Sequence, residues 1–173
     1  MALVFEGFPR LLEPTALKPG RWFATSYKGE TRVCVMTDAA EDRVPIALAF
    51  GQHRAQHIEF EPVLLRDFTE TLLTLDCDIV FAPAGPAGRL PLPLPSKRKA
   101  PHGALLHLAG GEFGIGVAGR GGRFTAVSLT SGHIAERFDL AFDHWSLTLR
   151  RGALETVMGV YEPEARRLAR AAS

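Results

Sequence analysis

Three groups of residues in this chain have the type and spacing for chemistry. The first is the stretch over 110–122, Gly-Gly-Glu-Phe-Gly-Ile-Gly-Val-Ala-Gly-Arg-Gly-Gly. There Gly114-x-Gly116-x-x-Gly119 has the spacing of a dinucleotide-binding loop. That chemistry needs a buried strand before the loop and a helix directly after it, because the helix N-terminus holds the pyrophosphate. After Gly119 come Arg-Gly-Gly-Arg-Phe-Thr-Ala-Val-Ser-Leu-Thr. Two more glycines and a β-type run cannot make that helix. The stretch therefore reads as a strand between two glycine turns. Phe113, Ile115 and Val117 face one side, while Gly114, Gly116 and Ala118 leave the other bare for close approach. A neighbouring chain segment is expected there rather than a dinucleotide, and no cofactor is expected.

The second group is titratable. His53-x-x-x-His57, with Glu59 and Glu61 nearby, has the i,i+4 spacing of helical metal ligands, but Arg54 stands where a metalloprotease has its glutamate. The expectation is a solvated loop and no metal site. Asp139, Asp143 and His144 form a potential acid–base cluster, and Asp76 and Asp78 a carboxylate pair, although alternating acids on a strand usually mark its solvent face. Ser131-Gly132-His133 reads as a turn. No nucleophile elbow, phosphate-cradling loop or Cys-x-x-Cys is present. Cys34 and Cys77 sit in apolar alternating runs and read as two buried thiols rather than a disulfide.

The third group is basic and apolar. Lys97, Arg98 and Lys99, with Arg120 and Arg123, offer a contact for phosphate or another anion. The same segment carries Leu90-Pro91-Leu92-Pro93-Leu94-Pro95. Proline at every second position favours polyproline II, which loses little entropy on binding, so Leu90, Leu92 and Leu94 are candidate partner contacts.

The elements that position these residues are mostly strands. Residues 1–20 hold Pro9, Pro14 and Pro19 and read as an arm or edge strand. From Arg21 the period is two, with a hairpin turning at Lys28-Gly29, a strand over 44–50 beginning near Pro45, and the strongest alternation in Leu73, Leu75, Cys77, Ile79 and Phe81. The segment 84–101 is a proline-rich basic linker. Short runs resume over 102–162, and the phase flips between Phe142 and Trp145, which places a bulge or corner at Asp143-His144. Pro163 opens a short C-terminal helix over 163–173. Matching segments of the two halves, such as Val80-Phe81-Ala82-Pro83 and Val160-Tyr161-Glu162-Pro163, suggest β-units at 21–83 and 102–162. The expected fold is mainly β, an antiparallel sandwich or two small pseudo-repeated barrels with a short C-terminal helix.

Composition narrows the function classes. At 46% hydrophobic the 173 residues can bury a core, and a net charge of +1 argues against a general nucleic-acid or anionic-membrane surface. No apolar run is long enough to span a membrane and no signal peptide is evident, so a soluble protein is expected, cytoplasmic or part of an assembly formed in the cytoplasm. The stretch Thr125-Ala126-Val127-Ser128-Leu129-Thr130-Ser131-Gly132 resembles the Asp-x-Ser-x-x-Gly signature of PilZ domains, small β-barrels that bind cyclic di-GMP. Ala126 replaces the motif acid and the glycine comes one residue late. That resemblance implies a degenerate nucleotide- or anion-binding barrel. The residues themselves lack a catalytic constellation and carry extended arms. They favour a non-enzymatic protein–protein interaction or assembly module, such as a virion or secretion-type subunit, that self-associates or holds a protein partner. A hydrolase or metalloenzyme with an unrecognised site is the remaining alternative.

Overall fold

The computed structural model describes residues 11–53, 56–69, 71–83, 92–93, 102–118, 124–135 and 137–163. The chain is mainly β and forms an all-β sandwich. Its first strands are β1 (Trp22–Tyr27), β2 (Glu30–Glu41), β3 (Val44–His53), β4 (His57–Leu64), β5 (Leu73–Thr74) and β6 (Asp78–Pro83). A second group comprises β7 (Leu92–Pro93), β8 (Leu105–Leu108), β9 (Phe113–Ala118), β10 (Phe124–Ser128), β11 (Ile134–Ala135) and β12 (Phe138–Phe142). The chain ends its strands with β13 (Trp145–Arg151) and β14 (Leu154–Tyr161).

The larger sheet has the order β5-β1-β2-β3-β4-β14-β13-β6 and the smaller β11-β10-β9-β8-β12-β7. The larger sheet thus takes strands from both sides of the 84–101 segment. The corner expected at Asp143-His144 is where the chain leaves β12 in the smaller sheet and enters β13 in the larger one. The β1–β2 hairpin turns at Lys28-Gly29, both with positive φ (54° and 77°), the handedness that matches strand twist.

One expected strand is divided. The alternating run from Leu73 to Phe81 becomes β5 and β6, which lie at opposite edges of the larger sheet and are joined only by residues 75–77. Four Cα steps reach at most roughly 14 Å. The two edges are therefore close, and the sheet must curl. Trp22 on β1 meets Phe81 on β6 with ring centroids 5.8 Å apart, inside the curl. Leu75 and Cys77 keep their apolar phase because both pack on the same core.

Both faces of the curled sheet are covered at β2, which explains why residues 33–36 are apolar at every position. Val33, Val35, Leu48, Phe50, Phe60, Trp145 and Leu147 point inward and meet Leu105, Ile115, Val117 and Val127 of the smaller sheet and Leu129 in the turn after β10. Phe23, Cys34, Met36, Ala47 and Ala49 point outward, where Leu12, Leu17, Phe68 and Leu72 cover them. Residues 11–17 lie along this outer face, with Leu12 N donating to Leu72 O at 2.8 Å. The C-terminal helix expected over 163–173 lies outside the described residues except for Pro163.

Candidate functional site

The glycine stretch forms β9 and its flanking turn. Gly110-Gly111 turns between β8 and β9, with Gly111 at φ 81°. This chain comes close to the bare face of β9 at Gly114. A Cβ on Gly114 would come within 2.8 Å of Val127 O and 2.9 Å of the Leu108 side chain. Gly103 N donates to Gly116 O at 2.8 Å, and Gly116 N donates to Ala104 O at 3.0 Å. The chain resumes after 119–123 as β10, a strand where a dinucleotide loop requires a helix.

His53 and His57 are directly opposed partners across the β3–β4 hairpin, so their spacing is that of a hairpin rather than a helix. Among the described residues no three His, Cys, Asp or Glu side chains gather as a metal site. Asp139 sits at an irregularity in the β12–β8 pairing, with its carboxylate 3.7 Å from His107 Nδ1. Asp76 pairs with Arg151 at 3.4 Å. Burial pushes the Cys34 thiol far up, and burial followed by the nearby Asp78 and Asp76 raises Cys77. Both cysteines are free, and neither is held as the thiolate a nucleophile requires. Arg98, Arg120, Arg123, Leu90 and Leu94 lie outside the described residues. Leu92 belongs with Pro93 to β7, the outermost strand of the smaller sheet, paired with β12. Polyproline II was the expectation for this pair; a sheet edge is the place where strand proline is tolerated.

Two arrangements escape local sequence patterns. The first is a polar junction at one end of the sandwich. Asp38 on β2 receives His133 Nδ1 at 2.8 Å through one carboxylate oxygen and Ile134 N at 3.1 Å through the other, while Asp38 N donates to Gly132 O at 3.0 Å. Beside it, Ser128 Oγ donates to Glu112 Oε2 at 2.5 Å and accepts from Thr130 N and Ser131 N. Ser131 Oγ donates to the same Glu112 oxygen at 3.3 Å. Trp22 Nε1 adds a bond to Leu129 O at 3.0 Å. Both serine hydroxyls donate to Glu112 rather than to the Asp38–His133 pair. The junction ties the turn over 128–134 to the larger sheet. Ser128 shapes that turn, accepting from Thr130 N and Ser131 N. Asp38→Ala is expected to lower stability by about 1 kcal/mol, since its hydrogen bond to His133 is partly solvated and the Ile134 N–H loses its acceptor. Urea unfolding checks it, and a loss above about 3 kcal/mol or none at all contradicts the latch role.

The second arrangement is the β13–β14 hairpin. Among the described residues β14 meets β4 at a single parallel pair, Val160 with His57. Residues 154–157 project past that pair and are exposed, with Leu154 at 64% and Val157 at 53%. The hairpin itself is well held. Arg150 Nε meets Glu155 Oε1 at 2.6 Å, and pairing with β13 continues to Arg151–Leu154. An extra residue near Met158 offsets the register between Leu147 and Thr148. Gly159 fits because a Cβ there would overlap the carbonyl oxygen of Gln56. Among the described residues, the result is a braced strand that no neighbouring strand pairs on its far side over residues 154–157. Strand edges are normally guarded by proline, lysine, charge or short length. β4 carries Glu59, Glu61 and Pro62, β6 carries Asp78 and Pro83, and β5 and β11 are two residues each. Leu154-Glu155-Thr156-Val157 has no proline and no lysine, and its one charge is paired with Arg150.

The described residues define an all-β sandwich in which residues 154–157 of β14 are paired on one side only. Comparison with known protein families, curated proteins and solved structures finds no match to the chain.

Proposed function

We propose that this chain is a non-enzymatic protein–protein interaction or assembly module that takes its partner by sheet extension along β14. The supporting observation is the unguarded edge at residues 154–157, where exposed Leu154 and Val157 flank backbone groups that β4 does not pair. Strand addition supplies affinity through main-chain hydrogen bonds and specificity through alternate side chains. The Leu-Pro arm, with Leu90, Leu92 and Leu94, is a second proposed contact. The placement of Leu92-Pro93 along β12 supports it, since that pair already extends a sheet within the chain.

Val157→Lys and Leu154→Lys put a charge where an added strand must desolvate it. Both positions are exposed, so unfolding is expected to shift by no more than about 0.5 kcal/mol. Affinity capture with the full chain, quantified by mass spectrometry and counting captured copies of the chain itself, should fall at least about tenfold for each variant against wild type, the equivalent of ~1.4 kcal/mol. Equal capture by wild type and both variants overturns the proposal.

A further inference from the structure

We infer that the occupant of the β14 edge is the β14 edge of a second copy, paired antiparallel about a two-fold axis at Thr156. This rests on the reading of residues 154–157 as an interaction edge and names its partner.

The register follows from geometry and charge. A two-fold normal to a continuous antiparallel sheet keeps each side chain on its own face. It therefore opposes one residue to its own counterpart, and residues on either side of that position swap partners. Centred on Glu155, the pairing would set two carboxylates directly opposite, which is unfavourable. Centred on Val157, it would bring Gly159 into the ladder, where the chain is already occupied: Val160 N donates to Gln56 O at 2.8 Å. Centred on Leu154, it would run into the Gly152-Ala153 turn. Centred on Thr156, threonine opposes threonine, Glu155 opposes Val157, and Leu154 opposes Met158. Threonine pairs are favourable across strands, and no like charges face each other. Arg150 neutralises each Glu155 from the strand behind, at 2.6 Å. Net charge is +1 per chain, so copies meet without long-range repulsion. The pairing joins two curled sheets into one and covers Leu154 and Val157 in both copies.

The test uses the full chain. Light scattering should show mass rising from monomer to dimer with concentration, and Thr156→Glu, which opposes two carboxylates on the axis, should weaken the dimer about fivefold or more. On a Cys77→Ser background, Thr156→Cys should form a disulfide dimer on oxidation with diamide, because directly opposed strand residues lie within bridging reach. Glu155→Cys on the same background should cross-link at least fivefold less. A monomer at every concentration, or equal cross-linking at 155 and 156, overturns the inference. If the chain is monomeric while Val157→Lys still abolishes capture of other proteins, the self-pairing fails and the interaction reading stands. If capture is also unaffected, both fail. Circular dichroism of each variant confirms that the fold is retained, and Val157→Lys supplies a second route to the same dimer measurement should Thr156→Glu unfold.

Discussion

Gly132→Ala is expected to lower stability by roughly 3 kcal/mol or more, a large share of the ~5–15 kcal/mol that holds a domain of this size together. Two effects add. Gly132 has φ 71°, where a side chain costs about 1–2 kcal/mol. Its position also has no room. A Cβ would overlap the backbone nitrogen of Gly20 and the carbonyl oxygen of Met36, and would lie 2.9 Å from the carbonyl carbon of Pro19. None of these is a flexible tip that can swing aside. The backbone bonds that converge there must lengthen or break: Gly20 N to Met36 O at 2.9 Å, Asp38 N to Gly132 O at 3.0 Å, and Gly132 N to Ser128 O at 3.0 Å. The polar junction would then open with them. Gly111→Ala is the internal control. It has φ 81° but nothing within 4 Å of a built Cβ, so only the conformational cost of about 1–2 kcal/mol remains. Denaturant midpoints of the two variants give the difference directly. Equal destabilisation would show that the close approach contributes nothing.

Trp145→Ala is expected to cost about 3–5 kcal/mol, the usual range for emptying a large aromatic site. Trp145 is fully buried and is the hub of the curled sheet. It stacks on Tyr161 with centroids 5.1 Å apart and planes within 9°, meets Phe81 at 5.5 Å, and lies edge-on to Phe50 at 6.3 Å. Its indole Nε1 also donates to Gly103 O at 2.7 Å, a bond between β13 and the start of the smaller sheet. Trp145→Phe separates the two contributions. It keeps much of the apolar volume but leaves the buried Gly103 carbonyl without its donor, a loss of about 1–3 kcal/mol. Thermal and urea unfolding of the pair check this. A Trp145→Ala protein as stable as wild type would mean that the aromatic cluster is not the core's centre.

Much of the architecture is legible in the residues because period-two alternation and turn chemistry are local. The Lys28-Gly29 hairpin, the strand beginning near Pro45 and the corner at Asp143-His144 all lie where spacing and phase indicate. The run from Leu73 to Phe81 shows the limit. Its alternation is intact, but alternation records which face a residue uses, not which neighbour its backbone pairs with. One pattern can thus serve two opposite edges of a curled sheet. His53 and His57 show the same limit for side chains, since i,i+4 spacing also arises across a tight hairpin.

The sequence by itself determined that this is a β protein with its apolar residues in phase, and that Gly114-x-Gly116-x-x-Gly119 is followed by a strand rather than a helix. Those facts depend on neighbours a few residues apart. Only the tertiary structure decided that Asp38 meets His133 across 95 positions, that Gly132 presses on Gly20, and that residues 154–157 of β14 face solvent while β13 is paired on both sides. Strand order and the gap beside β4 arise from long-range pairing, in which each strand finds its partner by burying a shared face. No short window of residues carries that information.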